Sequence, residues 1–119
     1  MISDTAEMTI AAGARLVPAG VQWDAVKVSR HQAVRAIELL ETPGAVAVDP
    51  SPSEPVLYFL VPPGTASAWD VPETTALGHA HVVLPPEHKE APPGPYWLIP
   101  QRDGLTSVAA LRKALAVIL

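Results

Sequence analysis

The placement of proline is the feature that most constrains the fold of this chain. The 119 residues include 14 prolines, and all but Pro18 and Pro43 lie between Pro50 and Pro100. Proline has no N–H to donate to a strand ladder, so it separates strands and is rarely found inside them. The apolar runs between these prolines are short, which is typical of strands. The second half of the chain is therefore predicted to form a compact sheet with rigid connections.

Five segments carry strand patterns. The strongest covers residues 56–61, which are apolar on both faces and are predicted to form a central strand. In residues 23–28 the alternation places Val26 and Val28 on one face, and Lys27 on the other with Trp23 and Ser29. The remaining predicted strands are residues 45–48, 81–84 and 96–99. Residues 64–77 are predicted to be a loop or to contain a short helix around residues 66–69.

Three helices are predicted. Asp4 and Glu7 form a capping-box pattern that predicts a helix over residues 4–16. Ser29 and Gln32 repeat this pattern before a helix over residues 30–41, which Pro43 and Gly44 end. An apolar stripe predicts a last helix from about Thr106.

These elements fit a single domain over residues 1–119, with a helix and turn at 1–20 and a core at 21–119. The predicted fold class is α+β. It consists of a four- to five-stranded mixed or antiparallel sheet with two to three helices packed on one face.

Charge and cysteine usage restrict the function classes. The net charge is −4, which does not favour nucleic acid as a partner. The chain has no cysteine, which excludes disulfides and thiolate chemistry and favours the cytoplasm. Acidic residues stand where a signal peptide needs basic ones, and no apolar run is long enough to span a membrane. We expect a soluble, cytoplasmic protein.

No conventional active site is visible in the sequence. It contains neither a P-loop nor a nucleophile elbow, its carboxylates are scattered, and no cofactor is predicted. Lys27, Arg30 and Arg35 form the one local basic set. Lys27 and Arg30 could face a phosphate near the start of the second helix, or the set could be an ordinary solvated face in which Arg35 pairs with Glu38.

Three histidines suggest a second reading. His79 and His81 would face the same way on a strand, so both imidazoles could reach one metal ion. His88 follows, but Pro85 and Pro86 interrupt the strand before it. The alternatives are a small metal-dependent enzyme and simply solvated histidines.

Three segments resemble a known family. Residues 56–64 (VLYFLVPPG), 81–86 (HVVLPP) and 96–98 (YWL) are similar to the N-terminal bifunctional DNA primase/polymerase domain, especially to its short actinobacterial versions. The resemblance spans about residues 21–119. It implies an α+β domain whose sheet resembles the RNA-recognition-motif core of that family.

The family's catalytic pattern is missing. Its two strand-end carboxylates fall here on Lys27 and Ser29, its histidine falls on Val56, and its third carboxylate falls near Thr74, with Glu73 adjacent. Primase and polymerase chemistry uses divalent metals held by carboxylates. Lysine, serine and valine cannot hold magnesium. The resemblance therefore implies an inactive homologue.

The first hypothesis is accordingly a non-catalytic binding or regulatory domain, whose ligand is a nucleotide, a nucleic acid or a protein. Its cleft face would comprise Trp23, Lys27, Ser29, Arg30 and Tyr58. The alternatives are the metal-dependent enzyme built on the three histidines and a protein-interaction module that uses the proline-rich loops.

Overall fold

The computed structural model describes residues 8–9 and 13–119. Its strands are β1 (Met8–Thr9), β2 (Arg15–Pro18), β3 (Asp24–Ser29), β4 (Val46–Asp49), β5 (Val56–Val61), β6 (Thr75–Leu77), β7 (His81–Leu84) and β8 (Tyr96–Ile99). Its helices are α1 (Arg30–Leu39) and α2 (Val108–Ile118), with short 3-10 turns at Thr65–Ala68 and Gln101–Asp103. Neither helix of these described residues is long and apolar enough to cross a membrane.

The central layer is a five-stranded antiparallel sheet in the order β6-β3-β5-β4-β8. Helix α1 connects β3 to β4, and β5 then inserts between these two strands. This split β-α-β arrangement is the one found in ferredoxin-like sheets. The predicted α+β fold with a five-stranded antiparallel sheet is confirmed. The central position predicted for residues 56–61 is confirmed as well, since β5 pairs with both β3 and β4.

Both helices cover one face of this sheet. Their inward residues, among them Ala33 and Ala36 of α1 and Leu111 of α2, are fully buried. They belong to one apolar cluster with residues of the three central strands, namely Val26, Val28, Val46, Val48, Leu57, Phe59 and Val61. Alternation along each strand brings these side chains to the same face. The predicted packing of helices on one side therefore holds.

The opposite face is largely covered by a second, three-stranded antiparallel sheet in the order β1-β2-β7. A separate apolar cluster fills the space between the sheets: Ala19, Trp23, Ala25, Ala45, Ala47, Leu60, Val82, Leu84 and Trp97. The central sheet is thus covered over most of both faces, by helices on one side and by strands on the other. This explains why β5 is apolar along its whole length.

The helix predicted over residues 4–16 is wrong where the structure describes it. Met8–Thr9 and Arg15–Pro18 are strands, while Asp4 and Glu7 lie outside the described residues. The physical reason is tertiary: β2 pairs along its whole length with β7, from Arg15 opposite Leu84 to Pro18 opposite His81. A local capping pattern cannot reveal a partner so distant in sequence.

A close backbone contact fixes the segment that leads into α2. The buried N–H of Gly44 donates to Thr106 Oγ1 at 2.9 Å, and Thr106 donates its own N–H to the carbonyl of Leu60 at 2.8 Å. A Cβ at Gly44 would lie 2.5 Å from the carbonyl carbon of Leu105. Only glycine fits this contact, which ties α2 to the sheet.

Candidate functional site

The pairing of β3 with β5 assembles the candidate site. Lys27 lies directly opposite Tyr58, and Ser29 lies opposite Val56. Val56 in turn lies opposite Asp49 of β4. Alternation places these residues on the face away from the helices. The cluster beneath the three-stranded sheet ends at Tyr58, and past it Lys27 is exposed while Ser29, Asp49 and Tyr58 are partly exposed. We call Lys27, Ser29, Asp49 and Tyr58 the open strip.

Tyr58 has a distinct electrostatic environment within the strip. Burial, and to a lesser degree the negative charge of Asp49, raises the pKa of the Tyr58 hydroxyl above its usual value of 10.0. Both causes disfavour the phenolate. At neutral pH the hydroxyl is therefore protonated and can donate a hydrogen bond to a ligand.

A relay of side chains extends the strip to the loop before β6. Ser29 Oγ donates to Gln32 Oε1 at 3.1 Å, and Gln32 Nε2 donates to Glu73 Oε1 at 2.9 Å. The predicted capping box therefore does not form in its usual way, because the two side chains bond each other and Ser29 makes no cap to the backbone. The first N–H groups of α1 therefore have no side-chain cap. Lys27 lies three positions before the first residue of this helix.

The positions singled out by the family resemblance converge in space. Lys27, Ser29 and Val56 share one face, and the relay through Gln32 brings Glu73 to the same end of the sheet. Across residues 8–9 and 13–119, no three or more acidic, histidine or cysteine side chains form a group that could hold a metal ion. The arrangement can bind an anion or a polar ligand through Lys27 and Tyr58.

Arg30 lies beside the strip. It is exposed as the first residue of α1, and its backbone N–H donates to the carbonyl of Pro55 at 2.9 Å. Together with His31, Arg35 and Glu54 it lines a shallow groove of about 470 Å³. Two guanidinium groups against one carboxylate give this groove a positive balance.

Trp23 does not belong to the open surface that the sequence predicted for it. It is only 4% exposed and packs in the cluster between the two sheets. Trp23 packs with Ala25 and Leu60 on the side of the sheet that Lys27 shares, but the second sheet covers this part of the face. Its role is packing.

The three histidines do not come together. His79 lines a cavity beside Asp24, and His88 lines a different one with Glu87 and Arg102. His81 is exposed at the first position of β7. Strand β7 begins only at His81, so the strand geometry that would aim His79 and His81 at one ion is absent. The proposed metal site has no geometric basis among these residues.

Sequence reasoning missed two members of the site. The sequence predicts Gln32 only as part of a capping box, and it predicts no specific role for Asp49. Gln32 and Glu73 are 41 positions apart, and no local pattern links them. The position of Asp49 after an apolar strand was the one available signal, since polar residues at strand ends gather at sheet edges.

The chain matches no protein-family model, no curated protein and no solved structure.

Proposed function

We propose that this chain is a non-catalytic domain of primase/polymerase-like architecture that binds a mononucleotide at the open strip, in the cytoplasm. The observation that carries the proposal is the opposition of Lys27 and Tyr58 on the sheet face away from the helices, where Lys27 is exposed and Tyr58 partly exposed. Lys27 would contact the phosphate, and the Tyr58 hydroxyl would donate to the sugar or base.

The charge distribution supports an anionic ligand. Lys27 precedes the first residue of α1 by three positions, and Arg30 begins that helix. The N-terminus of a helix carries a partial positive charge and N–H groups that suit phosphate. No side chain caps this end, so a phosphate would not have to displace a side-chain cap, and of the first N–H groups that of Arg30 already donates to the Pro55 carbonyl.

The shape of the face favours a mononucleotide over a nucleic-acid strand. Sheets of the RNA-recognition type stack two or three bases across their free face. Here the cluster under the β1-β2-β7 sheet occupies most of that face, including Ala25, Leu60 and Trp97. The open strip comprises four residues, a small area for a strand of several stacked bases, and the net charge of −4 also disfavours a long polyanion.

The residue types support binding without catalysis. Phosphoryl or nucleotidyl transfer by two metal ions needs several converging carboxylates. In the strip a lysine and a serine stand where the resembled family has carboxylates. The Lys27 ammonium would place a positive charge near the position of such a metal, so a triphosphate would be bound but not activated.

A nucleotide titration followed by ¹⁵N NMR tests the proposal. ATP, ADP and AMP are added separately at low salt, and we expect saturable shifts at the amides of residues 27–32 and at Tyr58. Lys27→Ala should weaken binding about tenfold, the effect expected from losing a charge-assisted contact. Lys113→Ala removes an equally exposed lysine from the helix side of the molecule, and it should leave the affinity unchanged. Absent saturation, or equal losses in both variants, would contradict the proposal.

A protein-interaction role for the proline-rich loops is the second candidate. Pro92 and Pro93 are exposed in the loop before β8. The backbone N–H of Trp97 donates to the Lys89 carbonyl at 2.8 Å, which ties that loop to the strand. Rigid, exposed prolines suit recognition by an aromatic groove. A Pro92→Ala, Pro93→Ala double variant should leave nucleotide binding intact, which separates the two roles.

A further inference from the structure

A second cavity lies at the other end of β3 from Ser29. Its volume is about 380 Å³, and it is lined by Gly20, Asp24, Gly64, Ala66, Ser67, Gly78 and His79. Strand β3 runs from Asp24 to Ser29, so the length of a six-residue strand separates this cavity from the far end of the open strip. The two sites therefore do not share their contact residues.

The cavity contains a buried carboxylate without charge compensation. Asp24 is 1% exposed, and its Oδ2 accepts the Ala66 N–H at 2.8 Å. Its Oδ1 is buried and has no hydrogen-bond donor in the part of the chain that the structure describes. The ion pairs of that part are Arg102–Glu90 and Arg112–Asp70, so Asp24 is in neither. Burying an uncompensated charge is costly, which indicates a partner that donates hydrogen bonds and carries positive charge.

Glycines place backbone rather than side chains in the wall beside this carboxylate. A Cβ at Gly78 would lie 3.4 Å from Asp24 Oδ2 and 3.0 Å from the Ala66 Cβ. A Cβ at Gly20 would overlap the carbonyl oxygen of Gly78. The wall of the cavity is therefore largely backbone, and any side chain at position 78 would narrow the space beside the carboxylate.

We propose that this cavity binds a small molecule bearing a primary ammonium group. An ammonium group supplies both the positive charge and the several N–H donors that Asp24 lacks. Its remaining donors could reach backbone carbonyls or the Ser67 hydroxyl. Asp24 and His79 are the two metal-type ligands in the lining, fewer than the coordination of zinc or calcium requires. An anion is excluded by the carboxylate, so this ligand differs in charge from the nucleotide proposed for the open strip.

The test is a ¹⁵N NMR titration of the whole chain with ethylammonium chloride. The Ala66 amide is the direct reporter because it donates to Asp24 Oδ2, and the Gly78 and Gly20 amides report on the wall. Ethanol supplies the same alkyl group without charge, and tetramethylammonium supplies charge without donors. We expect saturable shifts at these three amides with ethylammonium alone. Equal shifts with either control compound, or no saturation with ethylammonium, would overturn the proposal.

Two variants test separately the contribution of the Asp24 carboxylate and that of the space beside it. Asp24→Asn should weaken ethylammonium binding at least about tenfold, the loss expected for a charge-assisted contact. Asp103→Asn, which removes an exposed carboxylate elsewhere, should bind like the unchanged chain. Gly78→Ala retains the carboxylate and fills the space beside it, so it should also abolish binding. If Asp24→Asn does not fold, Gly78→Ala provides the test. Undiminished ethylammonium binding by Gly78→Ala would refute the proposed site.

Discussion

The guanidinium of Arg112 lies over the ring of Trp69, with 5.0 Å between its central carbon and the ring centroid. The same side chain donates from Nη1 to Asp70 at 2.6 Å and from Nη2 to the Ala68 carbonyl at 2.7 Å. Trp69 is held from its other end, because its Nε1 donates to Thr74 Oγ1 at 2.8 Å. One arginine of α2 thereby fixes the loop that carries both Ala66 and Glu73.

Arg112→Ala should lower the free energy of unfolding by about 0.5–1 kcal/mol through loss of the cation–π contact over Trp69, since the hydrogen bonds to Asp70 and Ala68 are exposed. Urea denaturation measures the change. Arg35→Ala removes an exposed arginine of α1 and should change stability by less than about 0.5 kcal/mol. Equal losses in both variants would show that the contact over Trp69 contributes nothing.

The pKa of Asp70 should lie below that of an unperturbed aspartate. The hydrogen bond from Arg112, and then its positive charge, holds the pKa of this carboxyl below 3.8. A depressed pKa adds stability above the unfolded value, and that contribution is lost as the pH falls through the folded value. Carboxyl ¹³C NMR should show the pKa of Asp70 rising toward 3.8 in Arg112→Ala. An unchanged titration curve would mean that the pair is open in solution.

Tyr58 should ionise above pH 10, and partly because of Asp49. The chain has two tyrosines, so a Tyr96→Phe background isolates Tyr58 in an absorbance titration. Asp49→Asn should lower the pKa of Tyr58 without restoring it to 10.0, since burial is the larger cause and Asp49 the smaller. The raised pKa means that the associated stability is present below pH 10 and is lost as the pH rises through the folded value. A return of the Tyr58 pKa to 10.0 in Asp49→Asn would contradict the conclusion that burial is the larger cause.

Thr106→Val should destabilise the fold by about 1–3 kcal/mol, because it leaves the buried Gly44 N–H without an acceptor. The substitution keeps the shape of the side chain, so lost packing does not account for the effect. Thr75→Val, at an exposed position of β6, is the matched control and should change stability by less than about 0.5 kcal/mol. Thermal unfolding distinguishes them, and a neutral Thr106→Val would refute the role of this hydroxyl.

Glu73→Gln should strengthen nucleotide binding at the open strip about two- to fivefold at low salt, because it removes a negative charge near the ligand. The amide oxygen can still accept from Gln32. Glu38→Gln, on the outer surface of α1, should have little effect. A gain that persists unchanged in high salt would indicate a cause other than charge.

Local signals predicted most of the central sheet. Strand β5 matches residues 56–61 because its apolar run ends at Pro62 and follows Pro55. Helix α1 begins at the predicted residue and ends at Leu39, near the Pro43 break. Strand β6 was missed, since Thr75–Leu77 has only three residues and its pairing with β3 comes from tertiary contact.

Sequence patterns predicted the arrangement of the site only within a single strand or helix. Alternation correctly placed Lys27 and Ser29 on one face of β3, but their opposition to Tyr58 and Val56 depends on the register between β3 and β5. Register is set by how two buried faces match. The contact of Gln32 with Glu73 and the burial of Asp24 arise from the packing of whole layers, which local patterns do not encode.

The prolines also limit the length of the outer strands of the two sheets. Strand β8 is an outer strand of four residues with Pro95 before it and Pro100 after it, and the outer strand β7 is followed by Pro85 and Pro86. The remaining outer strands, β6 and β1, have three and two residues. Short edges bounded by proline offer no continuous row of N–H and carbonyl groups to another chain. Along the described edges, the sheet of one copy therefore offers only short segments on which the sheet of a neighbouring copy could extend.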